Sequence, residues 1–102
     1  MNRGELWWVE LPDRKRRPYL VLTRQAAIPV LTSVVAVALT KTRRALPTEV
    51  PFDEDDGMPV PCVASFDNVE TLPRWAFVER IASLRPTRGL EVSAALRTAL
   101  DC

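Results

Sequence analysis

Histidine is absent from the 102 residues, and cysteine (Cys62, Cys102) and glycine (three residues) are scarce. Without histidine there is no Ser-His-Asp triad, no Cys-His dyad, no histidine-pair ribonuclease and no histidine-based zinc site. Two cysteines far apart in sequence make neither a disulfide scaffold nor a Cys-rich metal centre. A reduced pair is expected, with Cys62, between Pro61 and Val63, acting as a small buried hydrophobe. Long apolar runs are missing too. The longest, Ala26 to Leu39, contains Pro29, Thr32 and Ser33 and falls short of the ~20 residues of a membrane helix. Glu5 and Glu10 interrupt the N-terminal apolar stretch, so no secretory leader and no membrane partner are expected, and the protein reads as cytoplasmic.

What is present is ordinary in amount and unusual in arrangement. The chain is 47% hydrophobic and 26% charged, which suits one folded domain over residues 1–102 rather than a disordered segment. The net charge of +1 hides a segregation. Residues 1–44 carry nine Lys/Arg against three acids, and residues 45–70 carry seven acids and no base. A basic face able to meet polyanions, with an acidic edge elsewhere, follows from this pattern; solvated surface charge is the competing explanation.

The apolar pattern is that of short strands. Leu6 to Leu11 is aromatic and strand-like, Pro12 and Asp13 end it, and Pro18 sets the entry to Tyr19–Thr23. Val34 to Leu39 is apolar throughout, as in a strand buried on both faces. Further strands are expected at 48–52, 63–66 and 77–84, with Pro59 and Pro61 holding the intervening segment extended. From Pro86 onward, Val92, Ala95, Leu96, Ala99 and Leu100 form a helical stripe expected to lie on the sheet. The expected fold is mainly β (α+β), a small curved barrel or sandwich with one C-terminal α-helix.

Four groups of residues could carry chemistry. Asp53 to Asp56 could hold Mg²⁺, but an EF-hand frame aligned on Gly57 puts Phe52 and Val63 at ligand positions, so a solvated turn is the better reading. Arg14, Lys15 and Arg16 look like loop charges able to touch phosphates. Arg17, fixed by Pro18 at the lip of the sheet, could grip a phosphate through paired donors or could be spent on an ion pair to Asp67 or Glu70. Thr40 closes the apolar run just before Lys41-Thr42-Arg43-Arg44, and is either a ligand contact or the first turn residue. Asp67-Asn68 either reads base edges or forms an Asx-type turn between strands.

These residues, taken in order, resemble a known family. Arg3-Gly4-Glu5-Leu6-Trp7-Trp8-Val9-Glu10-Leu11, Arg17-Pro18-Tyr19-Leu20-Val21-Leu22 and Val35-Ala36-Val37-Ala38-Leu39-Thr40 are similar to segments of MazF/PemK-type toxins, the sequence-specific endoribonucleases of type II toxin–antitoxin pairs. Leu46-Pro47-Thr48-Glu49-Val50, Asp67-Asn68-Val69-Glu70-Thr71-Leu72, Val78-Glu79-Arg80-Ile81 and the final helix continue the series. The resemblance implies an SH3-like small barrel with a C-terminal helix, paired as a homodimer whose interface forms part of an RNA groove. It implies Arg17 and Thr40 as the catalytic pair and base contacts around Asp67 and Asn68, while the loop charges Arg14, Lys15, Arg16, Lys41 and Arg43 are expected to contact RNA phosphates. The loop Pro12–Arg16 is shorter than in several relatives, which carry an assisting acid there; Asp13 is the one acidic candidate left.

The implied reaction needs no metal and no cofactor, because RNA supplies its own 2′-hydroxyl nucleophile; single-stranded RNA is cut to a 2′,3′-cyclic phosphate and a 5′-OH, and DNA is spared. An antitoxin with an acidic flexible tail is expected across residues 14–17 and 41–44. Trp7, Trp8 and Trp75 are placed either at a dimer surface or in ordinary core packing. Two alternatives come from other classes. One is a CcdB-like gyrase poison, against which the non-aromatic end Leu100-Asp101-Cys102 argues; the other is a catalytically silent RNA-binding relative.

Overall fold

The computed structural model describes residues 1–101. Any pairing of Cys62 with Cys102 therefore lies outside the described residues. Six strands form one antiparallel sheet: β1 (Glu5–Val9), β2 (Arg17–Val21), β3 (Ser33–Thr40), β4 (Glu49–Phe52), β5 (Cys62–Pro73) and β6 (Phe77–Ser83). One helix, α1 (Pro86–Leu100), follows. The spatial order β4-β5-β3-β2-β1-β6 curls into a half-barrel, in agreement with the expected mainly β architecture. Among the described residues no helix is long and apolar enough to cross a membrane.

The sheet is apolar on both faces, and strand periodicity sorts the residues between them. Leu6, Leu20, Val37 and Leu39 face a first cluster with Val50, Phe52 and Phe66, closed by Val92 and Ala95 of α1. Val9, Tyr19, Val21, Val34 and Ala36 face a second cluster with Ile28, Leu72 and Phe77. This explains the unbroken apolar run of β3, with a correction at its start. Ser33 is exposed and Val35 is 37% exposed, so only the middle of the strand is buried on both sides. Leu100 likewise departs from the expected helical stripe, being 59% exposed.

Three further expectations are corrected. Thr48 precedes β4 rather than opening it, and β1 stops at Val9, two residues short of Leu11. Asp67-Asn68 forms no turn between strands, because β5 is one continuous twelve-residue strand through that point. Asp53–Asp56 is the expected turn with Asp53, Glu54 and Asp55 exposed, built as a capped 3-10 turn over Glu54–Asp56 with only Asp56 turned inward. The Asp53 side chain accepts from the Asp55 backbone N–H, and the Asp56 carboxylate accepts from that of Asp53. Asp56 is buried, and Arg88 of α1 donates to it at 3.2 Å. Runs of acids do not reveal which member turns inward; that depends on a helix thirty residues later in the chain meeting the turn.

Gly57 ends this turn at φ +92°, a left-handed conformation, and an added Cβ would lie 2.6 Å from Cβ of Ala82. Gly57→Ala therefore meets both backbone strain and a collision. A loss of about 2 kcal/mol is expected by urea unfolding, and a variant as stable as the parent contradicts this packing.

Candidate functional site

Antiparallel pairing sets Tyr19 opposite Ala38, Leu20 opposite Val37 and Val21 opposite Ala36. Two residues beyond this paired segment, at the same end of the two strands, lie Arg17, the first residue of β2, and Thr40, the last residue of β3. Both side chains line one cleft of about 840 Å³, together with Lys15, Arg16, Lys41, Thr42, Arg44, Glu49, Ser65, Asn68 and Glu70. The floor of this cleft is small by sequence. Ala36 and Ala38 of the central strand β3 leave room for the Tyr19 phenol on β2 to reach across to Glu70 on β5. Tyr19 Oη donates to Glu70 Oε2 at 2.7 Å, and Arg14 donates to Glu70 Oε1 at 2.6 Å.

The basic loop divides into alternating roles that composition does not show. Arg14 is tied to Glu70, and Arg16 to Glu79 at 2.6 Å with its guanidinium 4.8 Å over the Trp8 ring. Lys15 and Arg17 line the cleft with no hydrogen bond or ion pair among the described residues. The ion pair considered for Arg17 is thus made by other groups. Asp67 accepts instead from Thr48 Oγ1 at 2.7 Å, and Glu70 from Arg14 and Tyr19. Arg17 remains exposed with its donor fork uncommitted.

Partial burial pushes the Glu70 carboxyl up, but hydrogen bonds from Arg14 and Tyr19 and the charges of Arg14 and Arg17 outweigh it and hold the group below the usual glutamate range. The Tyr19 phenol moves the other way, raised by burial and by the Glu70 carboxylate. Glu70 is consequently ionised throughout the neutral range. The stability that its pairing contributes is complete above the ordinary glutamate value and is lost as pH falls through the lowered one.

Asn68 and Asp67 sit in an irregular stretch of β5. Val37 pairs with Val69 while Leu39 pairs with Ala64, so one short step along β3 passes over Ser65–Asn68. A bulge of this kind re-aims side chains, and here Asn68 lines the cleft while Asp67 turns to Thr48. The other expected residues are dispersed. Lys41 borders both this cleft and a second cavity of about 340 Å³, Arg43 borders only the second, and exposed Asp13 approaches Arg14 at 3.9 Å without lining the cleft. Trp7 and Trp8 are half-buried, whereas Trp75 is 66% exposed.

Sequence reasoning missed Tyr19 and the cleft-side position of Glu70. The signal available was the alternation of Tyr19 with Arg17, and of Ala36 with Ala38, on one face of adjacent strands. Cys62 is buried and its thiol is pushed up to about 11, by burial first and then by Asp56 and Asp53, which makes it a poor nucleophile.

Comparison with known proteins agrees along the full length. Residues 2–100 match the family model of the PemK-like, MazF-like toxin of type II toxin–antitoxin systems. The chain is 45% identical over 103 residues to a probable endoribonuclease MazF2 of Mycobacterium tuberculosis, covering 100% of both sequences. Among solved structures it is similar to a mycobacterial endoribonuclease in complex with its cognate antitoxin, with TM-score 0.89 and 30% identity over 99% of this chain and 95% of that one. It is also similar to the M. tuberculosis toxin MazF-mt6, with TM-score 0.87 and 35% identity over 95% and 96% of the two chains.

Proposed function

From the premise that the chain belongs to the PemK-like, MazF-like toxin family, we propose that it cleaves single-stranded RNA at the cleft between Arg17 and Thr40, using the ribose 2′-hydroxyl as nucleophile and no metal. It is an endoribonuclease toxin of a type II toxin–antitoxin system. The observation that supports the site is that Arg17 and Thr40, at the same end of β2 and β3, line one basic cleft in which Arg17 holds no hydrogen bond or ion pair among the described residues.

The chemistry follows from those two groups. Attack of the 2′-oxygen on phosphorus builds negative charge on the non-bridging oxygens. A guanidinium with no internal partner is free to meet that charge through two parallel donors. Thr40, on the neighbouring strand, donates to a second oxygen or holds the ribose in line for attack. Lys15, Lys41 and Arg44 bring the phosphates of the flanking nucleotides to the cleft, and Asn68 presents donors and acceptors to an unstacked base. Arg14, committed to Glu70, acts on RNA through the shape it gives the loop, and Arg16, paired with Glu79 at the surface, also lines the cleft.

Residues 1–102 act as one domain, working in the cytoplasm where RNA and the antitoxin are made. The acidic tail of the antitoxin competes with RNA for the same cationic rim. Exposed apolar side chains such as Val30 and Leu31 suit pairing with a second copy. A gyrase-poisoning role finds no support among the relatives, whose names are those of endoribonucleases.

The test is direct. Purified protein in excess EDTA, given a mixed RNA pool, should yield 5′-OH and 2′,3′-cyclic phosphate ends and leave the matching DNA uncut. Cleavage that stops on chelation, or products with 5′-phosphates, overturns the mechanism. Tight binding without cleavage favours a silent RNA-binding protein.

A further inference from the structure

We propose that Glu70 is the proton acceptor for the ribose 2′-hydroxyl in strand cleavage, a role that rests on the endoribonuclease reading above. The chain has no histidine, so the base must be another group. Among the described residues the acids lining the cleft are Glu49 and Glu70. Glu49 is spent on the backbone N–H groups of Arg44 and Leu46. Asp67, three residues before Glu70, faces Thr48.

Glu70 differs in being held by side-chain donors, one to each oxygen, rather than by the backbone of its own loop. It lines the same cleft as Arg17 and Thr40, its side chain is 31% exposed, and each oxygen accepts one hydrogen bond, from Arg14 and from Tyr19. A carboxylate offers about four lone-pair sites, so acceptor capacity remains for a substrate hydroxyl. The two donors fix its rotamer, and Tyr19 is itself rooted in the second core cluster. Such a fixed, ionised carboxylate is prearranged for proton abstraction.

The step balances without any co-reactant. The 2′-O–H proton passes to a Glu70 oxygen as the 2′-oxygen forms its bond to phosphorus. The P–O5′ bond breaks, its electron pair stays on the 5′-oxygen, and that oxygen takes a proton from solvent. Glu70 then returns its proton to solvent. Arg14 and Tyr19 hydrogen-bond the carboxylate, Arg17 acts on it through space, and Lys15, Arg16, Lys41, Arg44 and Glu49 complete the charged and titratable surroundings. Because the cations hold the carboxyl low, activity should fall only as the pH drops below the ordinary glutamate range.

The experiment measures kcat, KM and the pH–rate profile on a short RNA carrying a cut site mapped from the mixed pool, for the parent, Glu70→Gln, Arg14→Ala and Arg17→Ala. Glu70→Gln should lower kcat about 100-fold with KM within about threefold, and should erase the acid limb of the profile. Arg14→Ala should keep the limb but move it to higher pH, since the carboxyl loses its cation. A Glu70→Gln variant with parental kcat and an intact limb overturns the proposal. So do equal losses in Glu70→Gln and Arg14→Ala with no movement of the limb, the result of a loop clamp alone. Should Glu70→Gln fail to fold, the limb of the parent and its shift in Arg14→Ala decide. Failure of the underlying reading looks different: the parent does not cleave, or Arg17→Ala cleaves as well as the parent.

Discussion

Arg17→Ala should abolish RNA cleavage, lowering it about 10³-fold or more, while the protein keeps its fold. Removing a donor aimed at charge that develops in the transition state costs ~10²–10³, and an arginine placed on a reacting phosphoryl group is worth ~10³–10⁵. The structural cost is small for a definite reason. The side chain is exposed and holds no hydrogen bond or ion pair among the described residues, and the backbone pairing of Arg17 with Val9 survives the substitution. Stability should change by no more than about 0.5 kcal/mol. Arg17→Lys keeps the charge and loses the planar fork, so it should recover only a minor part of the rate. Single-turnover cleavage beside thermal unfolding measures both quantities. An Arg17→Ala protein that cuts RNA at the parental rate moves the active site elsewhere.

The largest effect on stability is expected at Arg88. Its guanidinium joins three parts of the molecule: Nε donates to Asp56 at 3.2 Å, and the other nitrogens donate to the Pro51 carbonyl and the Glu91 carboxylate. The same group lies 4.9 Å over the Phe52 ring, a side chain 2% exposed. Arg88 is thus the bolt between α1, the end of β4 and the acidic turn. With 14% and 4% of the two side chains exposed, the Arg88–Asp56 pair is largely withdrawn from water. Arg88→Ala leaves Asp56 buried with only the distant Arg85, 3.9 Å away, as a cationic partner. Breaking a buried pair on one side costs roughly 3–5 kcal/mol, so a loss of about 3 kcal/mol and a Tm lower by roughly 12–24 °C are expected. Arg88→Met, which keeps the stem but not the charge, should be nearly as damaging. A small shift in either variant would mean that the helix is held by Val92 and Ala95 alone.

The two substitutions separate function from architecture. Arg17→Ala is expected to lower the rate and leave the fold intact, whereas Arg88→Ala is expected to loosen the fold at a distance from the cleft. Reading them from composition is impossible, because both are arginines beside apolar strands. What distinguishes them is whether a carboxylate lies within reach, and that is a property of the assembled sheet.

Much of the architecture was legible in advance. Alternating and continuous apolar runs identified β1, β2, β3 and β6, and the spacing of Val92, Ala95 and Leu96 identified α1. These features are local: side-chain period and proline position bias the backbone before any tertiary contact forms. The strand-end positions of Arg17 and Thr40 were legible for the same reason, while their proposed roles came from the family resemblance. The merging of β5 into one strand was not, because Asp67-Asn68 reads locally as a turn, while the pairing of residues 62–65 with β4 and of residues 63–64 and 69–73 with β3, on either side of it, carries the strand through.

The sequence by itself thus determined the class of fold and the exclusion of histidine chemistry, and it placed Arg17 and Thr40 where apolar strands meet basic loops. Only the tertiary structure decided which charges are free. Four neighbouring basic residues carry the same charge, yet Arg14 and Arg16 are paired with acids from β5 and β6 while Lys15 and Arg17 line the cleft with no ion pair among the described residues. The reason is geometric. An ion pair needs two groups within about 4 Å, and strands distant in sequence come that close only when the sheet has curled.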